Sequence, residues 1–86
     1  MHAVIVEVEI VDVAEARQGL EDVVANVKQA PGVVAGYWVR LDAGHGTSVV
    51  VFETEEQANA AKPPAGGDAP GVKMTSSRVG EVLASV

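Results

Sequence analysis

From residue 2 the segment HAVIVEVEI alternates strictly. Val4, Val6, Val8 and Ile10 share one side, and Ile5, Glu7 and Glu9 share the other. A period of two marks a strand with one wholly apolar face and one mixed face. From Val13 to about Ala30 the period lengthens: Ala16, Leu20, Val23, Val24 and Val27 recur at three- and four-residue steps. That is one stripe of an amphipathic helix, with Glu15, Arg17, Gln18, Glu21, Asp22, Asn26 and Lys28 mostly toward water. Asp12 is placed to cap it, Glu15 to complete a capping box, and Val11 and Ala16 stand at the staple positions. Gly19 in its middle costs about 1 kcal/mol relative to alanine, which a close helix–sheet approach would explain. Pro31 ends the helix, since proline disfavours helical geometry in the residue before it.

Two further strands follow, VVAGYWVRL and TSVVVFET, joined by the turn residues DAGHG. Thr54 and Gln57 form a second capping box, opening a helix of about two turns, EEQANAA, which ends before Pro63. KPPAGGDAPG reads as a loop, and VKMTSSRVGEVLASV as a long last strand. Its apolar phase shifts between Met74 and Val79, which predicts a bulge, placed near Gly80. The order strand, helix, strand, strand, helix, strand makes residues 1–86 one α+β domain. It is the ferredoxin-like βαββαβ arrangement, a four-stranded antiparallel sheet with both helices on one face. The other face is bare in a monomer.

Composition narrows the chemistry. Aromatics are only 3% of the 86 residues, so the core is built of Val, Ala, Leu and Ile. A core that small often gains stability by pairing with a second copy. The absence of cysteine excludes disulfides, thiol catalysis and Cys-based metal sites. A formal charge of −6 argues against nucleic acid as a partner, because phosphate contacts need a basic patch. No run approaches the length of a membrane span, and MHAVIVEVEI lacks the basic start of a signal peptide, so a cytoplasmic protein with no membrane partner is expected. His2 and His45 are far apart and without spaced carboxylates, so no metal is expected. GHGTSV leads into a strand and is no phosphate loop, and no serine sits in a G-x-S-x-G elbow.

The stretch PGVVAGYWVRLDAGHGTSVVVFETEEQA resembles the central segment of the dimeric α/β-barrel superfamily, in the branch of antibiotic-biosynthesis-type monooxygenases. There a helix ending in Pro-Gly leads into a Gly-aromatic strand, a short hairpin and a strand ending in Phe-Glu. The closing GEVLASV is similar to the ends of small actinobacterial members. The resemblance covers nearly the whole chain and is carried by turn and cap motifs. It implies a homodimeric α/β barrel, two sheets packed face to face with C-terminal strands reaching across. It also implies pockets between sheet and helices, and, in members of known activity, oxidation of planar polycyclic substrates by dioxygen without a cofactor. The haem-degrading branch carries an Asn on the first strand and a His on the second helix, and neither is present here.

The candidate residues follow from the faces. Tyr37, with Val39 and Leu41, is expected toward the helices. Trp38 and Arg40 are expected on the opposite face, meeting a second subunit together with Glu7 and Glu9, where Arg40 would offset one of the two carboxylates. Trp38 then anchors the interface, or takes a catalytic or ligand-stacking role with Arg40 beside it, or simply packs at the surface. Tyr37 is a core residue, or a hydrogen-bond donor in a pocket beneath the second helix. Asn59 faces water, or orients a substrate or dioxygen there. The second helix offers only Ala58, Ala60 and Ala61, so either it lies close to the sheet or it leaves a hollow. Two functions follow: a cofactor-independent monooxygenase acting through Tyr37 and Asn59 on an aromatic or polyketide-type molecule, or a non-catalytic dimer that binds a small apolar or aromatic ligand or simply self-associates.

Overall fold

In the computed structural model, which describes residues 1–64 and 66–86, the chain forms β1 (His2–Ile10), α1 (Val13–Lys28), β2 (Val33–Asp42), β3 (His45–Phe52), α2 (Glu55–Ala61), β4 (Asp68–Ala69) and β5 (Val72–Glu81). The strands make one antiparallel sheet in the order β2-β3-β1-β5-β4. With the short β4 set aside this is the expected ferredoxin-like order, β1 lying centrally. The sheet has five strands among the described residues rather than four. Asp68 and Ala69, expected in a loop, pair with Lys73 and Val72 through the turn at Pro70 and Gly71. Residue 65 of that loop lies outside the described residues.

The apolar face of β1 is the core. Val4, Val6, Val50, Phe52 and Ala58 are buried together, with Val8, Trp38, Met74 and Val79 packed against them. α2 sits down on this core: Ala58 is fully buried, because alanines let a short helix lie close. Thr54 and Gln57 exchange both hydrogen bonds of a capping box, 3.1 and 3.2 Å. The Gln57 side chain lies against Gly32, in a space a Cβ at that turn would occupy.

α1 behaves differently. None of its residues is buried, although Val13, Ala16, Leu20, Val23 and Val27 turn their partly buried side chains toward the sheet. Its cap is half of the expected box. Asp12 Oδ1 accepts from the Glu15 amide at 3.0 Å, while the Asp12 amide donates to the Gly71 carbonyl instead of to Glu15. The helix approaches the β4–β5 turn most closely at Gly19, where an added Cβ would meet Pro70 Cβ at 3.1 Å. The close approach is therefore to that turn.

The bulge stands elsewhere than at Gly80. Glu7 pairs with Ser76 and Val8 with Met74, so Thr75 is the extra residue, its hydroxyl donating to the Glu7 carbonyl at 3.1 Å. This accounts for the phase shift, since Met74 and Val79 both pack on the core. Gly80 pairs in register with Ala3, and the strand ends at Glu81.

Candidate functional site

Because α1 stands off the sheet while its apolar stripe faces it, a cavity of about 660 Å³ lies between them. This is within the range of small-molecule pockets. Val4, Val6 and Val8 of β1 make its floor, and Leu20, Val23 and Val27 of α1 make its roof. Trp38 lies in one wall, and Arg40 comes from the same strand two residues on. Residues with polar side chains are few in its lining: Ser48, Asn26, Arg17 and Arg40, and Thr47, whose hydroxyl donates to the Val6 carbonyl at 3.2 Å. No carboxylate, histidine or tyrosine lines it among the described residues.

The faces of β2 are reversed from the sequence expectation. Trp38 pairs with Ser48, Arg40 with Gly46 and Gly36 with Val50, all on the helix side. Trp38 packs on the core there, its ring covering Gly36, where an added Cβ would meet it at 3.1 Å. An aromatic ring resting on a glycine two residues away on an edge strand covers the gap the glycine leaves. Tyr37 and Val39, paired with Val49 and Thr47, project from the bare face, and Leu41, at the register shift between Arg40 and Asp42, is exposed beyond them. Trp38 and Arg40 therefore share no face with Glu7 and Glu9. Those two carboxylates are exposed on the bare side, and Glu7 pairs with Arg78 at 3.2 Å, not with Arg40.

The two residues expected to act together are apart. Tyr37 is on the far side of the sheet from the cavity, and Asn59 is exposed on α2. A second hollow, about 610 Å³, lies beside α2 against Pro31, Thr54 and Gln57, and neither Tyr37 nor Asn59 lines it. His45 lies at the hairpin, its Nδ1 2.9 Å from Asp42 Oδ1, which also accepts from the Gly44 amide at 2.8 Å. Those hydrogen bonds, the Gly44 amide first and the His45 ring second, hold the Asp42 carboxyl below the usual aspartate range. His2 Nε2 lies 3.3 Å from Glu55 Oε2. Among the described residues no cluster of three or more potential metal ligands occurs, and no helix is long and apolar enough to cross a membrane.

Arg17, like Asn26, is a cavity residue that a solvent-face reading of α1 misses. The signal was its position, four residues after Val13 and three before Leu20, on the flank of the apolar stripe. Compared with protein-family models, curated proteins and solved structures, the chain has no match in any of the three.

Proposed function

We propose that the protein is a small-molecule-binding module that takes an apolar ligand into the cavity between α1 and the sheet, and that it works as a homodimer paired through the bare face of that sheet. One observation carries the first half. A helix with an apolar stripe and no buried residue faces an apolar sheet across a cavity of about 660 Å³. Filling that space with apolar matter removes both walls from water, at about 25 cal/mol per Å² of surface covered. The pairing is supported by the exposed apolar side chains of β2, where Tyr37, Val39 and Leu41 are 64%, 47% and 63% exposed. An exposed apolar patch on a small domain supports association through it. Face-to-face pairing is also the assembly implied by the resemblance to the dimeric α/β-barrel superfamily.

Oxidation draws less support from the same geometry. Proton removal from a substrate needs a base within hydrogen-bond reach. Among the described residues the ionisable side chains lining the cavity are two arginines, which stay protonated. Native mass spectrometry of the untagged protein tests the proposal. A dimer carrying extra mass that leaves on unfolding is the expected result. A monomer at micromolar concentration would overturn the pairing, and failure of any apolar compound to bind would overturn the cavity reading.

A further inference from the structure

Arg17 and Arg40 reach the cavity from its two walls, α1 and β2. Arg17 lies in the second turn of α1, which starts where β1 ends, and Arg40 pairs with Gly46, itself opposite Val8 near that end of β1. Both side chains are exposed while lining the cavity. That is the pattern of an arginine stem lying along an apolar wall with its head at the mouth.

Neither head is neutralised. No ion pair involves either residue among the described residues, and Glu21, one turn along α1 from Arg17, makes none with it. Arg40 donates its Nε–H to the Asp42 carbonyl at 3.2 Å, which leaves its other nitrogens to donate. The charge distribution is one-sided. The chain has twelve acidic and six basic residues, yet among the described residues no acidic one lines the cavity and two of the basic ones do. In a protein of net charge −6 this is a local reversal of sign, at the mouth of an otherwise apolar space.

We infer that the ligand is an apolar carboxylic acid, its hydrocarbon body between α1 and the sheet and its carboxylate held at the mouth by Arg17 and Arg40. Guanidinium matches carboxylate through paired, charge-assisted hydrogen bonds. A neutral apolar molecule would use the walls and leave both cations without a partner. The inference rests on the cavity reading above, and the test separates the two.

Trp38 is the only tryptophan and stands in the cavity wall, so its fluorescence reports occupancy directly. Dodecanoate and dodecan-1-ol, both below their aggregation limits and at low salt, differ in the head alone. The acid should bind about tenfold or more tighter than the alcohol, the scale of one charge-assisted hydrogen-bonded pair. That preference should shrink on adding salt and vanish in the double variant R17Q/R40Q, which should still bind the alcohol. Equal binding of acid and alcohol would overturn the carboxylate inference and leave the cavity reading standing. A preference that survives in R17Q/R40Q would overturn the assignment to these two arginines. Binding of neither compound would overturn both readings.

Discussion

Tyr37 and Trp38 are adjacent in β2 and stand in opposite environments: the Trp38 ring packs on the core beneath α1, over Gly36, and the Tyr37 ring projects from the bare face of the sheet. The two rings therefore report on separate properties. Under the proposed pairing, Tyr37→Asp places a charge on the apolar patch that Tyr37 forms with Val39 and Leu41. The dimer dissociation constant should rise at least tenfold by sedimentation velocity, the effect of losing about 1.4 kcal/mol or more at an interfacial aromatic. An unchanged constant would mean that the protein pairs through some other surface or not at all.

Trp38→Ala should act on stability instead. A fully buried aromatic truncated to alanine costs about 3–5 kcal/mol. Trp38 is only partly buried, so about 2 kcal/mol is expected in urea unfolding. The loss includes the uncovered Gly36. If Trp38→Ala leaves the urea midpoint unchanged, the ring does not rest where the structure has it.

How much of this could be read from the chain depends on which signal each element carries. The strands and helices were legible because their periods are clean, and both caps because their spacing is specific. β4 was not: two residues of pairing next to Pro70 and Gly71 leave no periodicity to see. The position of the bulge was legible only as a phase shift, and Thr75, which causes it, is an ordinary strand residue. The face of β2 was misread because its more apolar side in sequence, Tyr37, Val39 and Leu41, is the exposed one, while Trp38 shares the helix side with Gly36 and Arg40. β3 gives no correction, since Val49 and Val51 are as apolar as Val50 and Phe52. What decides it is packing volume: the core under α1 takes the largest side chain on β2, and Gly36 makes room for it. Arg17 was hidden for a related reason, because the flank of a helix stripe becomes a wall only when the helix stands off its sheet.

The Asp42 carboxyl gives a pH signature of the β2–β3 hairpin. Hydrogen bonds from the Gly44 amide and the His45 ring favour its ionised form, so its folded value lies below the unfolded one. For a lowered carboxyl, the stabilisation is fully present above the unfolded value and is lost as pH falls through the folded value. Followed by NMR, the Gly44 amide should titrate with a midpoint below that of a free aspartate, about 3.9, and Asp42→Asn should abolish the titration. A midpoint at or above that value would show that the carboxylate is not held.

The turn between β4 and β5 fastens the start of α1, and Gly71 is the point of attachment. Its φ of +74° belongs to the left-handed region, and its place after Pro70 is the pattern of a type II turn. Its carbonyl accepts from both the Val11 amide, 2.8 Å, and the Asp12 amide, 3.1 Å. A Cβ at this position would overlap the Asp12 carbonyl oxygen and the Ala16 amide nitrogen, all of it backbone with no flexible end to yield. Gly71→Ala therefore forces the turn off the helix, combining left-handed strain of about 1–2 kcal/mol with the loss of hydrogen bonds worth about 1 kcal/mol each. A destabilisation of about 3–4 kcal/mol is expected in urea unfolding. Gly80→Ala is the control: a Cβ there meets nothing within 4 Å, and a change within about 0.5 kcal/mol is expected. The same turn sets how far α1 stands from the sheet at the end where Arg17 lies. Gly71→Ala should thus also weaken dodecanoate binding under conditions where the protein remains folded, while Gly80→Ala leaves it unchanged. Equal effects of the two substitutions would mean that α1 is held by its own stripe and that the turn plays no part in shaping the cavity.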